Sequence, residues 1–199
     1  MRLKHTAGIF THIYRNNLWG DKESVSGSGS SIQQTIPLVE KLPSLFKKYN
    51  ISSVLDAPCG DFNWMKRVDL SGMSYVGVDI VQELIDQNNR LYHGDHVSFA
   101  RMDILKDPLP KADVIMCRDA LVHFPLKEIA ACVENFKRSN STYLLTTSFP
   151  EVRENKNIRM GDWRPINLEE RPFSFPKPLH QLQELHDGKT LSLWRLRDL

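Results

Sequence analysis

Five short apolar runs alternate with segments of helical periodicity in the middle of the chain. The runs have the composition of buried strands and cover residues 54–57, 75–79, 97–101, 113–117 and 142–147. Apolar residues recur at three- and four-residue steps in the intervening segments, residues 62–68, 81–92 and 126–137. Strands that alternate with helices predict a parallel sheet with helices on both of its faces.

A further amphipathic helix is predicted before the first strand, from Ile32 to Tyr49, because apolar residues recur there at helical spacing. Ser30 or Ser31 would cap its beginning, and Pro43 would kink this helix or divide it in two. The first 31 residues are polar and irregular. They end in a Ser-Gly stretch whose composition is typical of a flexible linker.

The pattern changes after the fifth strand. Five prolines lie between residues 150 and 178, which precludes a long regular helix there. Two alternating runs follow, and Asp187 and Gly188 separate them. An Asp-Gly pair in that position is a strong signal for a type I′ hairpin turn. The sheet is therefore predicted to end in an antiparallel hairpin.

Composition and charge narrow the classes of protein. The chain has 199 residues, a net charge of +2 and 41% hydrophobic residues, which fits one folded domain rather than a disordered chain. It has no run of five basic residues, so nucleic acid is not an expected partner. The absence of a long apolar run predicts no membrane span and a cytoplasmic location. Three cysteines without a Cys-x-x-Cys pair disfavour a disulfide framework and a structural zinc site.

Four of the predicted strands are followed by an acidic residue, and the carboxyl ends of parallel strands meet at one edge of a sheet. Asp79 is placed to accept both hydroxyls of a ribose. Asp103 is suited to the exocyclic amine of adenine and Asp56 to an ammonium group. Together they describe a nucleoside with an amino-acid tail. Taken singly, each acid is equally typical of a helix cap or a turn.

The chain resembles the class I S-adenosylmethionine (SAM)-dependent methyltransferases. Four segments carry the resemblance, VLDAPCGD at 54–61, YVGVD at 75–79, ARMDI at 100–104 and DVIMCRDALVHF at 113–124. The resemblance covers about residues 51–199 and implies an α/β, Rossmann-like, doubly wound and mostly parallel sheet of seven strands with the last strand antiparallel.

The resemblance also implies bound SAM, which the reaction converts to S-adenosylhomocysteine (SAH). The residues expected to bind it are Asp56, Ala57, Pro58, Gly60, Asp79, Ile80, Asp103, Ile104 and Arg118. Pro58 departs from the family pattern because proline removes a backbone N–H. The methionine moiety is therefore expected to be held differently here.

The flanking segments are predicted to complete the site. Residues 1–31 would form a lid whose Trp19 and Ser28 contact the cofactor, with a disordered linker as the alternative. Residues 32–199 would form the methyltransferase domain, and its irregular insert at 149–180 would face the acceptor. Candidate acceptor-binding residues in the insert are Asp162, Trp163 and Arg164, because an indole ring can stack on a sugar or base. Packing of the loop onto the core is the alternative for Trp163.

Asp119 and His123 follow the fourth strand and are the candidate catalytic residues. An oxygen acceptor must lose its proton, and histidine is suited to that work near neutral pH. Asp119 would act as base, orient the acceptor or bind a divalent metal, so metal dependence stays open. Family members that act on sugar hydroxyls are similar, which favours a sugar or glycan acceptor over another small-molecule hydroxyl or amine.

Other functions predict different motifs. A nicotinamide-dependent oxidoreductase would carry Gly-x-Gly-x-x-Gly after the first strand, which this chain lacks. A methyltransferase of DNA bases would carry an Asn/Asp-Pro-Pro-aromatic turn where this chain has Cys-Arg-Asp-Ala. A SAM-binding module without turnover remains open, as do the oligomeric state and whether the chain is one domain of a longer protein.

Overall fold

A computed structural model describes residues 6–185 and 188–199. The four α-helices are α1 (Thr6–Arg15), α2 (Ile32–Lys48), α3 (Gln82–Tyr92) and α4 (Leu126–Arg138). The seven strands are β1 (Ser53–Asp56), β2 (Ser74–Asp79), β3 (Val97–Arg101), β4 (Val114–Cys117), β5 (Tyr143–Ser148), β6 (His180–Gln183) and β7 (Thr190–Arg195).

The strands form one mixed sheet in the order β3-β2-β1-β4-β5-β7-β6. The pairs among β1 to β5 are parallel, whereas β7 is antiparallel to both of its neighbours. The predicted Rossmann-like fold of seven strands with an antiparallel last strand is therefore confirmed. Chain order reverses between β1 and β4, and open α/β sheets bind their ligands at such a switch point.

Two apolar layers cover the sheet, because neighbouring residues of a strand point to opposite faces. Leu55 and Ile115 face the layer that contains the buried side of α4, including Ile129. Val54 and Met116 face the layer built from α2 and α3. The central strands are thus buried on both faces, as their continuous apolar sequences predict.

Helix α2 begins where the sequence predicts, but it is not divided at Pro43. Ser31 is its N-cap, and the side chain of Ser31 accepts a hydrogen bond from the backbone N–H of Gln34. The helix continues through both Pro37 and Pro43, so it is not divided in two. Its buried side chains hold it against the sheet despite the hydrogen bonds that proline removes.

Two predictions about local structure were wrong. The helix expected at 62–68 is only a 3₁₀ turn at Met65–Arg67, because Phe62 has a φ of +57°, which no right-handed helix contains. The expected irregular N-terminus contains α1. The buried Ile13 of α1 packs near Gly161, where tertiary contacts support a short helix.

The predicted closing hairpin forms between β6 and β7. The backbone N–H of Glu184 donates to the carbonyl of Lys189. Asp187 lies outside the described residues, so the predicted turn type is not described either. None of the helices that the structure describes has the length and apolar character needed to cross a bilayer.

Candidate functional site

A pocket lies at the carboxyl ends of β1, β2 and β4, next to the switch point of the sheet. Eleven of the predicted site residues line it: Trp19, Asp56, Pro58, Gly60, Asp79, Ile80, Asp103, Ile104, Arg118, Asp119 and His123. The other five do not: Ser28, Ala57, Asp162, Trp163 and Arg164. Of the two cofactor candidates among these five, Ala57 is wholly buried and Ser28 is exposed.

Asp56 lies at the end of β1 and is 3% exposed. Burial raises the pKa of its carboxyl to about 8, although the hydroxyl of Tyr75, which donates to Oδ2 at 2.5 Å, opposes this rise. The nearby Asp79 raises the pKa of Asp56 further, and Arg118 lowers it. Asp56 is therefore mostly protonated at neutral pH until a cation comes close.

Asp79 ends β2 and is oriented by the backbone on both sides. Its Oδ2 accepts a hydrogen bond from the N–H of Gly60 at 3.1 Å, and its Oδ1 accepts one from the N–H of Val81 at 2.9 Å. Burial raises the pKa of this carboxyl to about 6, and the two backbone donors oppose that shift. Asp79 is mostly ionised at neutral pH and can accept further hydrogen bonds from a ligand.

Asp103 borders an apolar part of the pocket. Its Oδ1 accepts a hydrogen bond from the N–H of Leu105 at 3.0 Å. The adjoining pocket wall consists of aliphatic and thioether side chains, Ile80, Val81, Leu84, Met102 and Ile104. A flat apolar ring fits between such side chains, with Asp103 as a hydrogen-bond acceptor at its edge.

The N-terminal strap (residues 23–31) is docked on the loop after β1 through Asp61. The hydroxyl of Ser24 donates to Oδ2 of Asp61 at 2.8 Å, and the N–H of Val25 donates to the same oxygen at 3.1 Å. The N–H of Asp61 donates in return to the hydroxyl of Ser26 at 3.2 Å. Ser26 and Ser30 line the pocket, so the strap forms part of its wall.

Gly60 is required where the strap crosses this loop. Its φ is +55°, and a Cβ atom there would lie 2.2 Å from the Oγ of Ser26. Gly60→Ala should destabilise the fold by about 1–2 kcal/mol through its left-handed φ and by about 1–3 kcal/mol more through the clash. It should also weaken ligand binding in the pocket. Urea unfolding and calorimetric titration measure the two effects.

Gly72→Ala is the matched control for Gly60→Ala. Gly72 has a φ of +73°, but a Cβ atom there would meet nothing within 4 Å. This variant should show the conformational cost of about 1–2 kcal/mol alone and no change in binding. Equal unfolding free energies for the two variants would show that the strap does not press on Gly60.

Asp119 belongs to a buried ionic cluster that joins β4 to the closing hairpin. Its Oδ2 is 2.5 Å from Nζ of Lys189 and 3.2 Å from a guanidinium nitrogen of Arg118. Glu184 pairs with the same two cations, at 2.5 Å from Arg118 and 3.3 Å from Lys189. Two anions and two cations thus neutralise one another, and Arg118 also donates to the carbonyl of Gly29 in the strap.

This cluster revises the prediction for Asp119. Although burial opposes it, the charges of Arg118 and Lys189 lower the pKa of Asp119 to about 2. So weak a base is a poor proton acceptor at neutral pH, and a carboxylate already paired with two cations is a poor metal ligand. Among the residues that the structure describes, no group of three or more metal-binding side chains comes together.

His123 lies in a 3₁₀ turn (Leu121–His123) after β4, and its ring lines the pocket. Its Nδ1 is 3.0 Å from the carbonyl oxygen of Asp162. Because a carbonyl only accepts, Nδ1 carries the proton and Nε2 keeps a lone pair. Burial lowers the pKa of the imidazole, although the hydrogen bond to Asp162 opposes this. The ring is therefore neutral at pH 7 and able to accept a proton.

Trp19 lines the pocket and packs on the ring of His123. The two rings are stacked, with centroids 4.7 Å apart and planes at 26°. Phe10 of α1 contacts both Trp19 and Phe124, at centroid distances of 6.4 and 5.8 Å. Trp19 thus forms part of an aromatic wall beside His123, and its contact with the cofactor stays a prediction.

The three predicted acceptor residues lie behind His123 rather than in the pocket. Arg164 is 6% exposed and donates to backbone carbonyls, so its guanidinium is not available to a ligand. Asp162 contributes its carbonyl, and its carboxylate accepts from the N–H of Arg159 at 3.3 Å. Trp163 is 54% exposed and contacts Phe149 edge-on.

Sequence reasoning missed the contribution of α1 to the pocket. Thr6, Phe10 and Tyr14 line it from one side of the helix. The i, i+4 spacing of these residues was the available signal, together with Ile9 and Ile13 on the side that packs on Gly161.

Comparison with known proteins agrees with this geometry. Residues 54–140 match the family model described as a methyltransferase domain. No curated protein matches the sequence significantly. The solved structures named next are less than 20% identical to this chain. At such identities, structural similarity shows the fold alone.

Three solved structures illustrate the fold. Human N-acetylserotonin methyltransferase in complex with SAM has a TM-score of 0.66 at 13% identity, and the alignment covers 94% of this chain and 58% of that one. Magnesium protoporphyrin IX methyltransferase from Synechocystis PCC 6803 with bound SAM has a TM-score of 0.60 at 12% identity, with 98% and 99% covered. PigF with SAH has a TM-score of 0.61 at 12% identity, with 81% and 55% covered.

Proposed function

Because this chain carries a class I SAM-dependent methyltransferase domain, we propose that it methylates a sugar hydroxyl with His123 as the general base. One observation carries the proposal. His123, whose neutral imidazole carries its proton on Nδ1, lines the pocket at the carboxyl end of β4. That edge of the sheet is where the fold binds its ligands.

The donor set of the pocket fits SAM. Asp79 would accept the ribose hydroxyls, Asp103 the adenine amine, and Asp56 would face the ammonium group. The apolar wall next to Asp103 has the character that an adenine ring requires. The strap, docked through Asp61, would serve as the lid over the amino-acid tail.

The residues of this chain supply positioning and proton removal. When bound, SAM supplies a methyl group activated by its sulfonium, and the electron pair of the breaking carbon–sulfur bond stays on the sulfur of SAH. Nε2 of His123 would take the proton of the acceptor hydroxyl as the oxygen of that hydroxyl bonds to the methyl carbon. The aromatic wall of Trp19 and Phe10 excludes water from the reacting atoms.

The aromatic wall supports an acceptor with a flat apolar face. The C–H face of a sugar can pack against the ring edges of this wall while one hydroxyl points to His123. The same wall favours a second candidate, a planar phenolic hydroxyl, since Phe10 and Phe124 add further ring surface. Both candidates need the same base, so they differ in the acceptor alone.

An acceptor panel tests the proposal. Purified protein with SAM is offered monosaccharides, oligosaccharides, phenols and primary amines, and SAH formation is measured against a reaction without acceptor. Methylation of a sugar hydroxyl supports the proposal, and product from phenols alone would move the assignment to the second candidate. Methylation of amines alone, or SAM binding without turnover on any acceptor, would contradict the proposed function.

Asp79→Ala tests the cofactor side. The variant should weaken SAM binding by more than about 1.5 kcal/mol, the low end for a hydrogen bond to a charged group. Asp86→Ala, which removes an exposed carboxylate from α3, is the matched control and should bind like the wild type. Calorimetric titration measures both variants, and wild-type affinity in Asp79→Ala would remove the ribose assignment.

SAM binding should release a proton from Asp56. The pKa of this carboxyl is raised to about 8, so it is mostly protonated at pH 7, and an incoming ammonium group favours its ionised form. Affinity should therefore rise with pH up to about 8 and level off above that value. Titration at pH 7 in buffers of different ionisation enthalpy should show about one proton released.

Asp56→Asn is the control for this proton. The amide keeps the shape of the carboxyl but does not ionise, so the release should disappear while Asp79, mostly ionised at pH 7, is unchanged. An undiminished proton count in Asp56→Asn would assign the release to another group.

A further inference from the structure

We propose that Arg164 is the positioning residue for His123, because its guanidinium and backbone hold the turn from which the imidazole projects. The inference rests on the proposed role of His123. It concerns how the fold orients this ring, and it assigns Arg164 a function different from the acceptor contact expected from the sequence.

The segment Gly161–Arg164 provides a hydrogen bond for every carbonyl of the turn at 121–124. Arg164 donates from its guanidinium to the carbonyls of Leu121 at 2.9 Å and Phe124 at 2.6 Å. Its backbone N–H donates to the carbonyl of Val122 at 3.1 Å. The N–H of Gly161 donates to the carbonyl of His123 at 2.9 Å. The backbone on both sides of the imidazole is therefore fixed.

The same segment fixes the imidazole itself. The carbonyl of Asp162 accepts from Nδ1 of His123, which leaves Nε2 unprotonated in a residue that lines the pocket. Asp162 lies between Gly161 and Arg164 in the chain, so the atoms that hold the turn and the atom that selects the tautomer belong to one short segment. A further guanidinium hydrogen bond, to the carbonyl of Lys156 at 3.1 Å, ties this segment to the preceding loop.

Arg164 is a buried cation whose partners are carbonyls. It is 6% exposed, and no carboxylate among the described residues lies within ion-pair distance of it. Burying an uncompensated charge is costly unless its donors are satisfied, and a planar guanidinium can satisfy several fixed carbonyls at once. A buried guanidinium bonded only to carbonyls is expected where it fixes the geometry of a turn rather than where it adds stability.

The charge of Arg164 acts on His123 as well. The charged groups that influence the imidazole are Asp119, which raises its pKa, and Arg164 and Lys189, which lower it. From the lid side, Trp19 stacks on the ring without adding charge. Arg164 thus holds the turn through hydrogen bonds, and its charge favours the neutral form of His123.

Substitution of Arg164 with methionine and with lysine separates the two contributions. Arg164→Met removes the donors and the charge, and a misplaced base should lower kcat by about 100-fold. The KM for SAM should stay within roughly twofold of the wild-type value, because Arg164 and His123 lie outside the residues assigned to SAM. Arg164→Lys keeps the charge but not the planar fork, so its kcat should lie between those of Arg164→Met and the wild type.

Nitrogen-15 NMR of the histidine ring gives a readout without turnover. In the wild type, Nδ1 of His123 should carry the proton. In Arg164→Met, both tautomers should be populated and the pKa of His123 should rise. Arg164→Lys should keep the wild-type pKa with partial loss of the tautomer preference. Arg159→Met, which changes an exposed arginine of the same loop, is the matched control and should alter neither quantity.

The outcomes distinguish this inference from the proposed function. An unchanged tautomer and kcat in Arg164→Met would overturn the positioning role. If Arg164→Met does not fold, the Arg164→Lys spectra decide, and wild-type tautomer and kcat there would overturn the role equally. A third outcome is that Arg164→Met shifts the tautomer while the loss of His123 leaves turnover unchanged. That pair of results would keep the positioning role of Arg164 and reject His123 as the base.

Discussion

Replacement of His123 with asparagine is expected to lower kcat by about 10²–10⁴-fold, the usual contribution of a general base. The amide of asparagine can still donate to the carbonyl of Asp162, as Nδ1 of His123 does. What the variant loses is the lone pair of Nε2. Binding of SAM should be unchanged within roughly twofold, because a transition-state interaction is removed and a ground-state contact is kept.

The pH dependence provides a second test of the same base. The pKa of His123 is lowered by burial, and only the neutral imidazole accepts a proton. Turnover should therefore be lost as the pH falls below the ordinary histidine range and be constant above it. The profile should disappear in His123→Asn, whose residual rate does not depend on a titrating imidazole.

His180→Asn is the control for a general effect of losing an imidazole. His180 lies on β6 with its Nδ1 3.4 Å from Nζ of Lys48, and it is not among the pocket-lining residues. Its replacement should leave kcat and the pH profile unchanged. Equal losses in the two variants, or a wild-type kcat in His123→Asn, would rule out His123 as the base.

The grouping of the three acidic residues was predictable because it depends on local sequence and strand order. Asp56, Asp79 and Asp103 each follow a recognisable strand, and parallel strands bring their carboxyl ends to one edge. The structure places all three along one pocket. No contact between distant segments had to be known to group these residues.

The surroundings of the candidate acceptor residues were not predictable because they depend on contacts between distant segments. Arginine is a residue type that often binds ligands. The guanidinium of Arg164 instead donates to the carbonyls of Leu121 and Phe124, more than 35 residues earlier in the chain. Helix α1 is short and gains its stability by packing on Gly161. The hydrogen bonds of Arg164 leave no periodic pattern in the sequence, whereas the i, i+4 spacing of Thr6, Phe10 and Tyr14 in α1 was an available signal.

The ionic cluster has the same long-range character, and it links three parts of the chain. Arg118 follows β4, Glu184 and Lys189 belong to the closing hairpin, and the carbonyl of Gly29 belongs to the strap. Removal of one member of a buried ion pair leaves an uncompensated charge. The docking of the strap and the docking of the hairpin therefore depend on the same charged side chains.

Glu184→Ala is expected to destabilise the fold by about 3–5 kcal/mol, the usual cost of breaking a buried pair. The side chain of Glu184 is 2% exposed, and its loss leaves Arg118 and Lys189 with Asp119 alone. The midpoint of thermal unfolding should fall by roughly 6–20 °C for a chain of this size. Urea unfolding gives the free energy directly.

Two further variants show that charge, rather than lost volume, causes this effect. Glu134→Ala removes a glutamate with a 62% exposed side chain that pairs with Lys137 on α4, and its effect should be below about 0.5 kcal/mol. Without Glu184 the cluster has two cations and one anion, and adding Lys189→Met removes the excess cation while Arg118 keeps Asp119 as its partner. The double variant should therefore be more stable than Glu184→Ala alone. A double variant with additive losses would mean that packing, and not charge balance, joins the hairpin to β4.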